Sequence, residues 1–592
     1  MVSVETESSS DSPVEQLTEP QNKIICDYLV VGAGTACLSF VDTVLELRKD
    51  VTFVIVDRNS APGGHWTKAY PFVRLHQPSC YYGVNSVPLG HLDKNGTEPF
   101  DLNERATGKE ICEYYQEVVE KFKSTGRVRI FFETNYEGEA ENVDKSISET
   151  YKDVKAKITH TITSKNGEVT HIDCTKVVRC ESNVQVPSMR KSFPFEIDES
   201  VVKAIIVNDL SEHIGSKSPH DKYLILGGGK TSVDAITYMI EDGNVRPDQI
   251  TWVVPRPTWF LMRDHLNPSP KPGKRFWKDG TNFFIKPIIT GKSGDEVFLE
   301  LEKLGSAQRV DPNDPNFPTT FKGATLDSSE MKHLRSIKNV VKNKGRVTSI
   351  TEKEVIFANG AHSIPFSATD TIVVDCTAHD TYGYLNFDKD FKFFNPHRIR
   401  LGPLTSFLNP SHTSAQVGFL EAQYADTSSG DDVKNSFLFY TRGPDELDSG
   451  LRYLMLNWYA QVKTDLAFDI CPNYRAFVLA ARTDRQNPNH HGGILGLLWA
   501  IFGPLKLLHK TQSFVYKMEN GWYADFPTHP LPGRSGPDAS KLQANLRNPP
   551  KVKPKKLKPS KKLQGDDPMK IRKKRMHFAR RRKTTLTVEM KW

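Results

Sequence analysis

Residues 25–37 read Ile-Cys-Asp-Tyr-Leu-Val-Val-Gly-Ala-Gly-Thr-Ala-Cys, and residues 222–232 read Lys-Tyr-Leu-Ile-Leu-Gly-Gly-Gly-Lys-Thr-Ser. Each stretch passes from an apolar, strand-like run through a glycine-rich turn into a run with helical spacing. This order is typical of a dinucleotide-binding βαβ unit. Two such units in one chain predict two bound dinucleotides, and therefore an enzyme that passes a hydride from one to the other.

The first unit has the features of an FAD site. Gly32 permits the tight turn after the strand, and Gly34 lets the backbone approach a pyrophosphate at the start of the helix. Asp57 ends the second strand, twenty-five residues after Gly32, where a carboxylate bonds ribose hydroxyls, and Arg58 follows it. Cys37 stands where the motif has Gly or Ala. The alternative is a glycine turn without a ligand.

The second unit differs at the end of its second strand. Pro255-Arg256 replaces Asp57-Arg58, and an arginine without a neighbouring acid suits the 2′-phosphate of NADPH. The alternative for Arg256 is a surface arginine. A phosphate-loop pattern fails because Leu224, not glycine, stands five residues before Gly229. The predicted NADPH-binding residues are Gly227, Gly229, Lys230, Thr231, Ser232 and Arg256.

The net charge of +8 over 592 residues is unevenly distributed. Residues 551–592 hold seventeen Lys or Arg against three acids, a local net of +14, so the rest carries −6. The tail is compatible with a solvated disordered segment, a nuclear-import signal, or a contact with an anionic membrane or nucleic acid. Its composition does not choose among them.

The leader, the apolar stretch near the C-terminus and the cysteines argue against a secreted protein, a membrane-spanning protein and a metal-binding protein. The acidic leader 1–22 lacks a signal peptide's basic start and apolar stretch, so we expect a disordered segment in a cytoplasmic protein, with the nucleus as the alternative. The apolar stretch 492–505 is too short to span a bilayer. It is compatible with a buried helix, an interfacial segment or the wall of a substrate tunnel. The eight cysteines form no CxxC pair, and no metal site is predicted.

Four stretches together resemble the two-dinucleotide flavoprotein oxidoreductases, and most closely the flavin-containing and Baeyer–Villiger monooxygenase group. They are the two glycine turns, residues 61–78 with Gly64, Trp66 and Tyr70-Pro-Phe-Val-Arg-Leu-His-Gln-Pro, and Asp375-Cys-Thr377-Ala378. The similarity covers about residues 24–425. The resemblance implies that the Gly64–Trp66 loop lies along the flavin and that Asp375, Thr377 and Ala378 close the FAD site.

Two departures mark the chain as a divergent member. The Phe-x-Gly-x-x-x-His stretch of those monooxygenases is absent before the second turn, and His76 stands where Baeyer–Villiger enzymes have an acid. A CxxxxC pair is also absent after the first unit, which argues against the redox-disulfide relatives. We expect Arg74, His76 and Gln77 to lie near the flavin as catalytic residues. Among these three residues, His76 is singled out because the ordinary pKa of histidine lies near neutrality. The alternative is that His76 has a purely structural role.

We therefore expect an α/β fold of two Rossmann-like domains, with the NADPH domain inserted in the FAD domain. The predicted segments are a leader (1–22), the first part of the FAD domain (23–200), the NADPH domain (201–334), the second part of the FAD domain with the substrate region (335–510), an extension (511–550) and the basic tail (551–592).

The leading hypothesis is an NADPH-dependent FAD monooxygenase acting on a small apolar or amine-bearing molecule. One alternative is an FAD-dependent NADPH reductase, dehydrogenase or oxidase without oxygen insertion. Another is a flavin-fold binding protein that its basic tail recruits to an anionic partner.

Overall fold

The computed structural model of the chain describes residues 23–90, 104–140, 157–180, 192–215, 219–266, 294–318, 320–358, 362–377, 391–402, 409–424 and 430–438, with the single residues 287 and 477. All of them lie in one compact unit, Met1–Val552. The predicted leader 1–22, the apolar stretch 492–505, the extension 511–550 and the basic tail 551–592 lie outside the described residues.

The described part up to residue 180 begins with the first predicted βαβ unit. Its elements are β1 (Lys23–Ile25), β2 (Tyr28–Val31), α1 (Thr35–Leu47), β3 (Phe53–Val56), α2 (Gly108–Lys123), β4 (Val128–Phe131), β5 (Thr134–Glu139), β6 (Ile158–Ser164), β7 (Val169–Cys174) and β8 (Lys176–Cys180).

The middle of the chain contains the second predicted unit. Its elements are β9 (Glu196–Ile197), β10 (Ala204–Ile206), β11 (Lys222–Leu226), α3 (Lys230–Glu241), β12 (Ile250–Val254), β13 (Thr258–Met262), α4 (Arg263–Leu266), α5 (Gly294–Lys303), β14 (Ala307–Gln308), β15 (Thr320–Leu326), α6 (Ser328–Ser336) and β16 (Asn339–Lys342).

The last described part supplies the remaining strands of the sheets and two further helices. Its elements are β17 (Val347–Ile350), β18 (Glu354–Phe357), β19 (Ser363–Pro365), β20 (Thr371–Asp375), β21 (Phe394–Asn395), β22 (Arg398–Leu401), α7 (Pro410–Tyr424) and α8 (Gly430–Phe437).

The first large sheet has the strand order β21-β22-β8-β2-β3-β4. All neighbours are parallel except β21 and β22, and β3 is buried along its whole length. This explains its unbroken apolar sequence, since strands covered on both faces do not alternate. Val31 of β2 pairs with Val56 of β3, so Gly32 and Asp57 leave the sheet at the same edge.

Helix α1 is sandwiched between this sheet and α7. A Cβ atom on Gly418 of α7 would lie 2.9 Å from the carbonyl oxygen of Phe40 in α1, so the glycine permits a close helix–helix approach. Phe40 and Val417 are fully buried in the same apolar cluster as the inward side chains of β2 and β3. The first glycine turn is thereby anchored on a rigid core.

The second large sheet is entirely parallel, with the order β10-β20-β11-β12-β16. Residues 339–342 and 371–375, which fall in the predicted second part of the FAD domain, form β16 and β20 beside the second glycine unit. The division into domains itself stays a prediction. Helix α6 is the crossover that returns the chain to β16, which a parallel pairing requires.

Three smaller sheets complete the described fold, in the orders β1-β7-β6-β5, β14-β13-β15 and β19-β18-β17-β9. Two hairpins, the antiparallel pairs β6–β7 and β17–β18, lie in the first and the last of these sheets. The architecture is thus mixed α/β with several parallel sheets. Within the described ranges, no helix is long and apolar enough to cross a membrane.

Candidate functional site

The first glycine turn is built by backbone geometry that only glycine adopts easily. Gly32 has φ +104°, and its N–H donates to the Val56 carbonyl at 2.7 Å. Asp57 is buried and its carboxylate accepts from the Ala33 N–H at 2.6 Å and from the Asn59 N–H and side-chain amide at 2.7 and 2.9 Å. The predicted ribose-binding acid therefore also fixes the turn. Arg58 beside it is exposed.

The loop that follows β3 packs directly on this turn. The Gly63 N–H donates to the Ala33 carbonyl at 2.9 Å, and a Cβ atom on Gly64 would lie 3.1 Å from Gly34 Cα. Gly64 also has φ +60°. Two glycines thus allow the backbones of the turn and the loop to touch.

A chain of hydroxyl groups holds the same loop to the start of α1. The Trp66 indole N–H donates to the Tyr82 hydroxyl at 2.7 Å, and Tyr82 hydrogen-bonds the Thr35 hydroxyl. Tyr115 donates to Thr35 at 2.7 Å from the other side. Trp66 is therefore a packing and anchoring residue of the first turn, and its contact with the flavin stays a prediction.

The second glycine turn repeats this arrangement. Gly227 has φ +124°, and its N–H donates to the Val253 carbonyl at 3.0 Å. A Cβ atom on Gly228 would lie 3.4 Å from the carbonyl oxygen of Arg256, so the end of β12 runs beside the turn. The Arg256 side chain is exposed at this position.

The Asp375–Thr377 stretch lies at the second turn. The Cys376 N–H donates to the Leu226 carbonyl at 2.9 Å, and a Cβ atom on Gly227 would lie 2.9 Å from the Cys376 carbonyl oxygen. Asp375 accepts from the Thr377 N–H and hydroxyl at 2.9 and 2.6 Å. The structure thus brings these residues to the turn predicted for NADPH, while their predicted role at the FAD site stays a prediction. Ala378 lies outside the described residues.

Lys230 does not point freely into the second turn. Its ammonium group is buried and pairs with Asp234 and, at 2.9 Å, with Glu330. Two carboxylates therefore neutralise the charge of Lys230 at the start of α3, and its contact with NADPH stays a prediction. The Ser232 hydroxyl donates to the Gly229 carbonyl at 2.7 Å, and Thr231 is half-buried.

The loop from Tyr70 to Gln77 docks on the second unit. The Tyr70 hydroxyl donates to Asp234 at 2.6 Å, and the Phe72 ring stacks on Tyr238 of α3 with centroids 4.3 Å apart. The carbonyl of His76 accepts from Arg263 Nε at 2.9 Å. The stretch from Gly64 to Gln77 is therefore continuous between the two units. It touches the first glycine turn at Gly64 and the second unit at residues 70–76.

The three predicted catalytic residues have different surroundings. Arg74 is exposed and donates to the Arg105 carbonyl at 3.3 Å, whereas Gln77 is buried. His76 is exposed, and its backbone carbonyl accepts from Arg263. Its role near the flavin stays a prediction.

The two helices that follow the glycine turns begin without a side-chain cap. Gly34 and Gly229 occupy their N-cap positions, whereas α2 and α6 begin with complete capping boxes. Uncapped N–H groups and the helix dipole favour an anion at such a position. A Cβ atom on Gly229 would meet nothing within 4 Å, so there is open space at the second turn. Both turns fit phosphate groups.

A cavity of 440 Å³ opens beside the second turn. Its walls combine Gly228 with the apolar faces of β12 and β16, and its lining includes the cations Arg335, Lys338 and Lys342. Lys342 is paired with Asp311 and Asp314 at 3.3 and 2.7 Å. The cavity has the volume and the mixed lining of a small-ligand pocket.

Relatives in mycobacteria share part of the sequence. The chain is 34% identical over 362 residues to uncharacterized proteins of Mycobacterium tuberculosis and Mycobacterium bovis. The match covers 61% of this chain and 61% of each relative, so the chain spans about three fifths of the length of the curated relatives it matches. No protein-family model matches the chain.

Solved flavoprotein structures resemble the chain at low identity. The polycyclic ketone monooxygenase of Thermothelomyces thermophila is 11% identical, with 79% of this chain and 86% of that chain covered and a TM-score of 0.44. A flavin monooxygenase of Stenotrophomonas maltophilia is 12% identical, with 67% and 97% covered and a TM-score of 0.38.

The bacillithiol disulfide reductase of Staphylococcus aureus is 13% identical, with 61% and 80% covered and a TM-score of 0.33. Flavin monooxygenases, the group predicted from the sequence, are thus among the structures that the chain resembles. Likenesses at this level do not decide function, which must be argued from the chain's own residues.

Several residues of this site escape sequence reasoning. Tyr82, Asp234, Arg263 and Glu330 all hold predicted site residues in place. Two signals were readable: Asp234 follows Lys230 by four residues in a helix, and Asp327-Ser-Ser-Glu330 matches a capping box. Neither signal shows that these residues meet.

Proposed function

We propose that the chain is an oxidoreductase that binds FAD at the first glycine turn and NADPH at the second. The observation that carries this proposal is that the two helices after glycine turns lack a side-chain N-cap, which α2 and α6 have. The two helices after glycine turns leave their first N–H groups without a side-chain cap, whereas α2 and α6 are capped by Thr107–Glu110 and Asp327–Glu330. Anionic pyrophosphates match both uncapped starts.

The residues at the two strand ends support different nucleotides. Asp57 lies at the first turn with its carboxylate already oriented by Ala33 and Asn59, as hydrogen bonding to ribose hydroxyls requires. Pro255 and Arg256 stand at the second turn, beside a cavity whose mixed lining includes the cations Arg335 and Lys338, which suit a phosphorylated adenosine. When bound, such a flavin supplies hydride acceptance and oxygen chemistry.

The loop between the two turns supports transfer between them. Gly64 packs on the first turn, and Tyr70 and Phe72 dock on the helix of the second unit. His76 is exposed between these docking points, where its ring nitrogens are accessible for hydrogen bonding. The finer proposal is a monooxygenase acting on a small apolar or amine-bearing molecule.

The full chain tests this proposal directly. Purified protein should be yellow, release FAD on denaturation, and lose its flavin absorbance when NADPH is added without oxygen. A colourless protein that takes up no added FAD would refute the proposal. NADH should bleach the flavin more slowly than NADPH.

A second candidate is the same flavoprotein without oxygen insertion, acting as a reductase, dehydrogenase or oxidase. The absence of the Phe-x-Gly-x-x-x-His stretch from the sequence favours it. Turnover under isotopically labelled dioxygen separates the two, because only a monooxygenase incorporates the label into an organic product.

The binding-protein hypothesis depends on the basic tail. Deletion of residues 551–592 tests it: loss of salt-sensitive binding to an anionic partner, with flavin turnover unchanged, would support recruitment as the tail's role. We also propose that the protein is located in the cytoplasm, with the nucleus as the alternative if the basic tail acts as an import signal.

A further inference from the structure

A buried cluster of charges lies between the Tyr70–Gln77 loop and the second unit. Glu330 is its centre: the carboxylate accepts from Lys230 Nζ at 2.9 Å and from Arg263 Nη2 at 3.0 Å, and Arg105 Nη1 lies 3.5 Å away. Asp234 pairs with Lys230, and Asp327 pairs with Arg263 at 2.8 Å. We call these six residues the Glu330 cluster.

The cluster joins segments that are distant in sequence. Lys230 is the first residue of α3, Arg263 follows β13, and Glu330 lies in α6. Arg105 precedes α2, which packs in the core of the first sheet. Glu330 therefore connects the start of the second unit's helix with the first unit.

Members of the cluster also bind the loop at several points. Asp234 accepts from the Tyr70 hydroxyl at 2.6 Å, and Arg263 Nε donates to the His76 carbonyl at 2.9 Å. The Arg105 carbonyl accepts from Arg74 at 3.3 Å. Both ends of the loop thus depend on side chains that Glu330 orients.

Burial makes the charge of Glu330 decisive. The residue is 4% exposed, and burial alone would raise its pKa, but Lys230 and Arg263 hold the pKa well below its usual range. A neutral side chain here would remove the carboxylate that Lys230 and Arg263 share and leave each cation with one carboxylate, Asp234 and Asp327 respectively. The two cations would then no longer be held together, and the loop contacts of Arg263 and Asp234 would loosen.

We propose that Glu330 is a positioning residue: it sets the Tyr70–Gln77 loop against the second glycine turn and thereby controls hydride transfer without touching either nucleotide. The control of hydride transfer rests on the proposed function, whereas the placement of the loop does not. The placement of the loop is a property of the protein itself and is measurable without cofactor.

The variant Glu330→Gln tests the charge while keeping an amide oxygen for the capping box of α6. The matched control is Glu241→Gln, because Glu241 joins the same two helices through His333 at 2.9 Å but is exposed. Hydrogen–deuterium exchange is followed at the N–H groups of Val73 and Leu75, which bond the Tyr70 and Ala106 carbonyls.

Exchange at these N–H groups should rise at least about tenfold in Glu330→Gln and stay unchanged in Glu241→Gln. Exchange in the hairpin of β17 and β18 reports global stability, so the rise at Val73 and Leu75 in Glu330→Gln should exceed any rise in that hairpin. Unchanged loop exchange in Glu330→Gln would overturn the proposal. If that variant does not fold, Arg263→Lys keeps the charge but loses the planar fork, and it should loosen residues 75–77 alone.

The kinetic arm uses flavin-loaded protein. At saturating NADPH, Glu330→Gln should reduce its flavin at least about tenfold more slowly, with flavin content retained and NADP⁺ binding within about threefold of wild type. If the loop of Glu330→Gln exchanges faster but its flavin is reduced at the wild-type rate, the claim that Glu330 controls hydride transfer is overturned. If wild-type protein takes up no flavin, the proposed function fails, while the exchange experiment still decides the role of Glu330.

Discussion

At the scale of single residues, the contact between Gly34 and Gly64 determines how closely the loop approaches the first turn. A Cβ atom on Gly64 would lie 3.1 Å from Gly34 Cα, with backbone and no flexible side chain in the way. The left-handed φ of +60° adds a second requirement for glycine. The two effects can be separated by a suitable control.

Gly64→Ala is expected to destabilise the fold by about 2–4 kcal/mol, from left-handed strain plus overpacking against Gly34. Gly126→Ala is the control: Gly126 has nearly the same φ, +68°, and nothing lies within 4 Å of its Cβ position. It should cost only about 1–2 kcal/mol. Urea unfolding measures both, and equal losses would show that the contact with Gly34 has no energetic weight.

Arg256→Ala is expected to reduce the preference for NADPH over NADH by about tenfold, since a charge-assisted hydrogen bond to phosphate contributes about 1.5–3 kcal/mol. Arg58 is the matched control because it occupies the same position at the first turn and is also exposed. Arg58→Ala should leave the preference unchanged. The ratio of flavin-reduction rates with the two cofactors is the measurement, and an unaltered ratio in Arg256→Ala would contradict the assignment.

At the scale of elements, the two βαβ units were predictable because each is local. Strand, turn, helix and strand follow one another within about thirty residues, so one window contains all the signals. The sheet membership of β16 and β20 was not predictable, because a buried apolar run such as Thr371–Asp375 reads the same in either sheet. For this reason the sequence alone does not show which sheet the strands after residue 335 join.

The charged cluster was unpredictable for a related reason. Lys230 and Glu330 lie one hundred residues apart and meet only because α3 and α6 pack on one face of the second sheet. The sequence shows a lysine at a glycine turn and an acid in a capping box. Only the packing of the two helices shows that they neutralise each other.

The stacking of Phe72 on Tyr238 is the apolar contact that joins the loop to α3. Their rings are 4.3 Å apart and inclined by 2°. A double-mutant cycle of Phe72→Ala and Tyr238→Ala should give a coupling of about 0.5–1.5 kcal/mol in urea unfolding. The Tyr136 ring lies tilted against His160 instead, with centroids 5.8 Å apart, so Phe72→Ala and Tyr136→Ala should be additive. Additivity of the Phe72–Tyr238 pair would argue against loop docking through these rings.

At the scale of the whole molecule, a second buried ion cluster joins α7 to the first sheet. Glu421 of α7 is fully buried and pairs with Lys176 of β8 at 3.3 Å and with Lys434 of α8 at 2.5 Å. It also accepts from the Tyr28 hydroxyl of β2 at 3.0 Å. A single carboxylate thereby connects the end of the described chain to the strand that carries the first glycine turn.

This cluster makes global stability sensitive to acid. Burial alone would raise the pKa of Glu421, but Lys176 and Lys434 outweigh it and hold the pKa at about 2, against 4.5 for an unperturbed glutamate. Between these two values the unfolded chain binds more protons than the folded chain. The contribution of Glu421 to stability is thus fully present above about pH 5 and is lost as the pH falls toward 2.

Glu421→Gln is therefore expected to lower the free energy of unfolding by about 3 kcal/mol at pH 7, because Lys176 and Lys434 lose one of the two carboxylates they share and keep Asp431 at 3.1 and 2.7 Å. The difference from wild type should shrink as the pH falls from about 4.5 toward 2, where wild-type Glu421 also becomes protonated. Urea unfolding at a series of pH values measures this convergence. Glu133→Gln, at the exposed pair with Lys165, should show no such pH dependence. A Glu421→Gln deficit that stays constant across the acid range would mean that Glu421 stabilises the fold by packing rather than by charge.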